Sequence, residues 1–258
     1  MTLYGYPEVY ATLLFPEPSL LEEIQEWIDE YLDGPCRSML DPCCGPATWL
    51  MPFAARGIHV GGNDLLPGMI EEAERRLAPF SHELILGDMR RLSFERTPFD
   101  VAINFHSSIG HLPDRDAMAV HLTAVREHLR PGGLYFLGIC VFDGDEADHE
   151  PEVLYESEPL TVPSGGLAAV RYESVCRDPL RSEETIRLLL LTSGVEGCPE
   201  RLEEEYVLRA LGAEAFRTLV DTVGGFDLLA VHQMDTVGRP DLGLFPDCGD
   251  VTVVLRRR

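Results

Sequence analysis

The chain has 258 residues, 45% of them hydrophobic and 25% charged, which suits one large globular domain or one domain with an insertion. A formal charge of −23 repels phosphate backbones and anionic membranes, and no apolar run approaches the roughly 20 residues that span a bilayer, so neither nucleic acid nor membrane is an expected partner. All 21 basic residues are arginine, which excludes Schiff-base chemistry on a lysine.

Seven cysteines occur at Cys36, Cys43, Cys44, Cys140, Cys176, Cys198 and Cys248. The number is odd, no C-x-x-C pair occurs and no Cys/His cluster forms, so buried reduced thiols are expected rather than a disulfide framework or a metal site. The segment from Met1 to Phe15 lacks a basic n-region and carries Glu8, so no signal peptide is expected and the chain reads as cytoplasmic.

The first eighteen residues are rich in aromatics and proline, with Tyr4, Tyr6, Tyr10, Phe15, Pro16 and Pro18. Ser19 and Glu22 have capping-box spacing for a helix whose apolar face is Leu20, Ile24, Trp27, Ile28 and Tyr31. Asp33-Gly34-Pro35 stops it. A strand is expected over Arg37 to Leu40, then the tight loop Asp41-Pro42-Cys43-Cys44-Gly45-Pro46-Ala47-Thr48 and a short helix, Trp49 to Ala55. A second strand, Ile58 to Gly62, runs into Asn63-Asp64. Strand, tight loop, helix and a second strand ending in an acid outline a nucleotide-type site at the carboxyl edge of a parallel sheet.

Pro67 opens a helix with Met69, Ile70, Ala73 and Leu77 as its buried stripe. Further strands are expected at Glu83 to Leu86, Asp100 to Phe105 and Leu134 to Ile139, and Asp114 can cap the helix carrying Met118, Leu122, Val125 and Leu129. Alternation with short connections implies a doubly wound, mostly parallel sheet. After Val141 the rhythm changes. Val153 to Val162, Leu167 to Arg177, Glu183 to Thr192 and Glu203 to Leu208 read as an antiparallel meander inserted over the binding edge. A helix, Gly212 to Val223, and strands at Phe226 to His232 and Val251 to Leu255 close the chain. The expected layout is one α/β domain: an N-terminal lid and first helix (1–35), a cofactor-binding core (36–140), the inserted β-layer (141–208) and a closing helix and strands (209–258).

Five motifs now stand in order: Leu40-Asp41-x-x-Cys44-Gly45, Asp64 with Met69, Gly87-Asp88-Met89-Arg90, Phe99-Asp100-Val101, and Leu129-Arg130-Pro131-Gly132-Gly133. In this order and spacing the chain resembles the class I S-adenosylmethionine-dependent methyltransferases, with a Rossmann-like fold. Ser107-Ser108-Ile109-Gly110-His111-Leu112 resembles a loop of the N-methyltransferases that dimethylate amino sugars. Departures are Ala47 at the family's second loop glycine, Leu66 where a helix-capping serine is usual, and His106 in place of an aromatic residue.

The resemblance implies S-adenosyl-L-methionine as cofactor and a small-molecule acceptor, with nitrogen favoured over oxygen or carbon. A cofactor-binding homologue without turnover is the alternative from another class, and an NAD-dependent dehydrogenase lacks its G-x-G-x-x-G. A homodimer is among the expectations. The resemblance assigns the ribose hydroxyls to Asp64, the adenine amino group to Asp88, and neighbouring contacts to Leu65, Met69 and Met89. It places Asp41, Cys44 and Gly45 at the methionine end, with Tyr10 closing over the cofactor. An amine must be neutral to attack, and histidine titrates near working pH, so His111 is the candidate base and His106 the second catalytic candidate. Asp143, Asp145, Glu146 and Asp148 form an acidic segment expected to be a solvated loop, with attraction of a cationic amine as its functional reading.

Overall fold

A computed structural model describes residues 2–143, 150–233, 243–244 and 249–258. The expected alternation is present. Strands β1 (Ser38–Asp41), β2 (His59–Asp64), β3 (His82–Leu86), β4 (Phe99–Asn104) and β5 (Leu129–Val141) pair in parallel in the order β5-β4-β1-β2-β3. The order reverses between β1 and β4, which makes their carboxyl ends the crevice where open α/β sheets bind ligands. Strands β11 (Phe226–His232) and β12 (Gly249–Arg257) complete the sheet, with β12 antiparallel to both of its neighbours.

Helices cover both faces. Leu21, Trp27 and Ile28 of α2 (Pro18–Tyr31), Phe53 of α3 (Leu50–Ala55), and Ala73 and Leu77 of α4 (Pro67–Leu77) share one core with alternate residues of the sheet. Leu122 and Val125 of α5 (Arg115–His128) and Phe216 and Val220 of α6 (Ala213–Val223) build the other. The glycines of β2 set how closely these layers approach. A side chain at Gly61 would come within 2.5 Å of the Phe99 ring, and one at Gly62 within 2.8 Å of Cys44 Sγ.

The Phe99-Asp100-Val101 and Leu129-to-Gly133 motifs, at the opposite edge, serve architecture. Asp100 Oδ2 accepts from Arg37 N at 2.8 Å and Ser38 N at 3.0 Å, while Oδ1 accepts from Arg130 Nε at 2.7 Å. This latch fixes where β1 begins and leaves Asp100 far from the crevice. β5 starts earlier than expected because Leu129 already pairs with Phe99, and a register shift absorbs Pro131-Gly132-Gly133 inside the strand.

The meander forms a second sheet in the order β10-β9-β8-β6, with β7 also on β8: β6 (Glu152–Glu156), β7 (Leu160–Thr161), β8 (Leu167–Asp178), β9 (Glu183–Ser193) and β10 (Arg201–Arg209). Its apolar face does not pack on the parallel sheet's helices. Val170, Leu188 and Leu190 bury Leu3, Val9 and Leu13 of the N-terminal segment. Each such burial stabilises by roughly 1.5–3 kcal/mol.

Two local expectations are corrected. The N-terminal segment contains a helix, α1 (Pro7–Leu13), started by a first-turn proline, where the sequence reading gave only a tail. Ser19 and Glu22 form no capping box. Pro18 takes the first helical position, so Glu17 becomes the N-cap and Ser19 lies inside α2. Asp114 does cap α5, accepting from Ala117 N at 2.8 Å. No helix among the described residues is long and apolar enough to cross a membrane.

Candidate active site

The crevice is built from the loops that follow β1, β2, β3 and β4. Asn63 and Asp64, side by side at the end of β2, hold the first three together. Asn63 O accepts from Cys44 N at 2.8 Å, and Asn63 Nδ2 donates to Pro42 O and Gly87 O, both at 3.0 Å. Asp64 Oδ2 accepts from Gly45 N and Oδ1 from Leu66 N, both at 2.9 Å, while its carbonyl accepts from Gly87 N. The Leu66 contact answers the missing helix cap: the acid two residues earlier satisfies that N–H instead.

Sequence reasoning placed Asp64 here and passed over Asn63. The signal was the strand ending Asn63-Asp64, where a buried amide can reach loops on both sides.

Asp41 lies beneath this cradle, 3% exposed, and its Oδ1 accepts from Cys43 N at 3.0 Å. Burial pushes its carboxyl up to about 7, and nearby Asp64 adds to the shift. Burial also raises Asp64, against the hydrogen bonds from Leu66 and Gly45. Among the described residues, the groups that act on Asp41 are Cys43, Asp64 and Asn104, none of them a cation. Cys43 and Cys44 are held as neutral thiols, their ionisation opposed first by burial and then by the two carboxylates.

Gly45 and Ala47 both turn the loop through left-handed backbone, at φ 52° and 59°. Ala47 is fully buried and bears the strain a glycine would avoid.

Tyr10, on α1, covers the loop. A side chain at Gly45 would meet Tyr10 Cε1 at 3.7 Å. Beside it Tyr4 stands 5.9 Å from the Tyr10 ring, and its hydroxyl is 3.1 Å from His111 Nε2. His111, in the 3-10 turn Ser108–His111 after β4, is flanked on another side by Tyr206 of β10 at 5.6 Å. Desolvation holds its imidazole below the usual value, so the ring is neutral at pH 7. The structure thus brings together the N-terminal segment, the post-β4 loop and the inserted sheet around His111. Sequence reasoning named Tyr10 and His111 but missed Tyr4 and Tyr206 as their partners. His106 is exposed, with its ring 5.3 Å from Trp49.

On the far side of the cradle, Asp88 is gripped by Arg90, whose Nε lies 3.0 Å from both carboxylate oxygens. Arg90 lowers the Asp88 pKa. Met89 is anchored through its backbone. His121 Nδ1 lies 3.1 Å from Met89 O, and His121 Nε2 lies 2.7 Å from the hydroxyl of the buried Tyr135. Leu65 and Leu86 are 69% and 54% exposed at the ends of β2 and β3, forming an apolar lip on this side. Met69 is buried in the first turn of α4. Asp143 accepts from Ala213 N at 2.8 Å and caps α6. Asp145, Glu146 and Asp148 lie outside the described residues.

The residues fit the cofactor that the sequence resemblance implies. Each Asp64 oxygen takes one backbone N–H and keeps lone pairs for hydroxyls. Among the described residues the buried Asn63 Oδ1 has no hydrogen-bond partner, and Asn104 at the end of β4 turns its side chain toward Asp41. Asp41 and Asp64 together give the floor carboxyl oxygens that can accept from a cationic ligand.

Residues 39–133 match the family model described as methyltransferase domain. The whole chain superposes on an S-adenosylmethionine-dependent methyltransferase from Clostridium acetobutylicum with a TM-score of 0.72 at 17% identity, covering 99% of both chains. The matched stretch holds the β1 loop, Asp64, Asp88 and the His111 turn, while the N-terminal segment and the inserted sheet lie outside it.

Among curated proteins, a dTDP-3-amino-3,4,6-trideoxy-alpha-D-glucopyranose N,N-dimethyltransferase from Streptomyces venezuelae is 32% identical over 97 residues, 38% of this chain and 40% of that protein. A cypemycin N-terminal methyltransferase from Streptomyces sp is 26% identical over 132 residues, 50% of this chain and 51% of that one. The chain therefore spans about half or less of these curated relatives. A solved amino pentose methyltransferase from Micromonospora echinaspora, CalS10, shares the fold with a TM-score of 0.68 at 20% identity, covering 93% of this chain and 91% of that one.

Proposed function

We propose that this protein is an S-adenosylmethionine-dependent methyltransferase acting on an amine of a small molecule. The observation that carries the reading is the cradle at the switch point. There Asp64 is oriented by Gly45 and Leu66, and Asp41 is buried with no cation acting on it. Nitrogen is favoured by the Ser107 to His111 loop and by the N-methylating relatives named above.

S-adenosylmethionine supplies a methyl group already activated on a sulfonium, so the chain need only bind, align and exclude water. Asp64 accepts the ribose hydroxyls, with its oxygens held by two backbone donors. Gly45 leaves the loop backbone bare beneath Tyr10, where the methionine end lies, and the Cys44 amide locks that loop onto β2. Asp41 faces the cofactor's ammonium end. Asp88 receives the adenine amino group once Arg90 swings aside, with Leu65 and Met89 flanking the base and Met69 supporting the turn that carries Leu65. The rings of Tyr4, Tyr10 and Tyr206 close the space above and shed water from it. His111, neutral at working pH and paired with Tyr4, orients the acceptor, and His106 lines the same loop.

Calorimetry tests this directly. The purified protein binds S-adenosylmethionine and its demethylated product, and Asp64→Ala weakens both by about tenfold or more, about 1.4 kcal/mol. No affinity for either compound overturns the reading.

A further inference from the structure

The loop after β4 adopts a rare backbone shape. His106 and Ser107 are consecutive non-glycine residues in left-handed conformation, at φ 55° and 53°. Gly138 of β5 makes room for them, since a side chain there would come within 3.0 Å of His106 N. The result is that two adjacent serines face two different places. Ser108 interacts with the Cys43 thiol of the cofactor cradle. Ser107 Oγ donates to Asp250 Oδ1 at 3.2 Å. Asp250 is therefore one residue away from the cradle through this loop. It stands at the start of β12 opposite Cys140 of β5, and because β12 runs antiparallel, that start lies at the carboxyl edge of the sheet.

The charged and titratable groups facing Asp250 come from every neighbouring strand: Glu184 of β9, Arg177 of β8, Glu152 of β6 and Cys140 of β5. Arg177 is engaged elsewhere. Its Nε donates to Glu184 Oε1 at 3.0 Å, and the same oxygen accepts from Ser174 at 2.6 Å. Asp250 has no ion-pair partner among the described residues. Asp250 is an exposed residue, and crowding of its carboxyl end by the inserted sheet raises it to about 6, with Glu184 adding to the shift, so it is largely ionised at pH 7 yet accepts a proton more readily than an ordinary aspartate. His111 offers less as a proton acceptor, since its Nε2 already pairs with Tyr4.

We propose that Asp250, oriented by Ser107, binds the ammonium form of the methyl acceptor and takes its proton. The step is balanced: R–NH3+ and the carboxylate become R–NH2 and the carboxylic acid, which returns the proton to water. The assignment rests on the methyltransferase reading and makes it more specific, because it requires an acceptor that is protonated in solution. It also gives Ser107 a role as a positioning residue.

The test compares paired probes on the full chain loaded with S-adenosylhomocysteine. A panel of primary aliphatic amines and 3-amino and 4-amino hexoses is titrated calorimetrically, each against its hydroxyl counterpart, from pH 5 to pH 8. Wild type prefers at least one amine over its alcohol by about tenfold or more at pH 7.5, and the preference fades below pH 6 as the carboxyl protonates. Asp250→Asn abolishes the preference and its pH dependence, Asp250→Glu restores part of it, and both variants keep wild-type affinity for S-adenosylhomocysteine and wild-type melting. A variant with unchanged preference and pH profile overturns the assignment. So does a wild type that binds the cofactor product but prefers no amine over its alcohol. Absence of cofactor affinity in wild type instead overturns the parent reading, and the Asp250 assignment falls with it.

Discussion

In the seven-stranded sheet, the groups placed at the crevice hang from strand ends, and the strands themselves are lined with buried apolar residues such as Phe99, Tyr135 and Phe136, with glycine at the close approach in β2. In the five-stranded sheet the order is reversed. The apolar face of its strands is the working surface, and what it grips is another part of the same chain. Leu3, Val9 and Leu13 sit on Val170, Leu188 and Leu190, and Glu204 accepts from Leu3 N at 3.0 Å. The difference teaches how the site divides its labour. The parallel sheet fixes polar atoms with backbone hydrogen bonds and tolerates little movement. The antiparallel sheet holds the N-terminal segment by area of contact, which is non-directional.

The sharpest way to break this division is Leu190→Ala. Leu190 is fully buried against the N-terminal segment, so the truncation costs about 3 kcal/mol. The loss should fall on the cover: hydrogen exchange of residues 3–13 accelerates, while amides of β1, β2 and β4 keep their protection. Equal acceleration in both sheets would show that the two form one cooperative unit.

A middle-sized effect tests the parallel sheet alone. The Asp41 carboxyl is raised to about 7 in the folded protein, against an ordinary value near 4 when unfolded. The native state thus holds the extra proton between those values, and stability contributed by this group falls as pH rises from 4 through 7. Asp41→Asn removes that slope and stabilises the free protein at pH 8 by about 2–4 kcal/mol, the upper figure being the full three-unit shift. Chemical denaturation at pH 5 and pH 8 checks it, and an unchanged difference between the two pH values would refute it.

The smallest effect concerns Ala47. Relief of its left-handed backbone is worth about 1–2 kcal/mol, and loss of a buried methyl group offsets about 0.8 kcal/mol of that. Ala47→Gly should therefore stabilise by under about 1 kcal/mol, raising the melting temperature by a few degrees.

These contrasts also explain what could be read in advance. Period and punctuation located the strands of both sheets, because strand alternation and the Gly/Pro turns are local properties. The cradle residues Asp41, Gly45 and Asp64 were legible because each terminates or follows a recognisable strand. The partners that complete the site come from far along the chain. Tyr4 meets His111 across 107 residues and Asp250 meets Ser107 across 143, and nothing in local spacing encodes such a meeting. Helix α1 was missed for a different reason. Its seven residues are too few for a clear period, and its stability comes from the inserted sheet that covers it. The capping box at Ser19 failed because a neighbouring proline defined the helix start first.

The contact between Tyr135, His121 and Met89 has an effect on the other half of the cradle. Burial lowers the His121 imidazole to about 4, so above that pH the ring carries a single proton. A carbonyl can only accept, so that proton must sit on Nδ1 facing Met89 O, which leaves Nε2 to accept from the Tyr135 hydroxyl. The tautomer is fixed, and the hydrogen bonds run one way from strand through helix to loop. The side of the crevice next to Asp88 is thus insulated from acidity over the range in which Asp41 and Asp250 change charge. One wall keeps its charge over the pH range in which burial lets the other change its own.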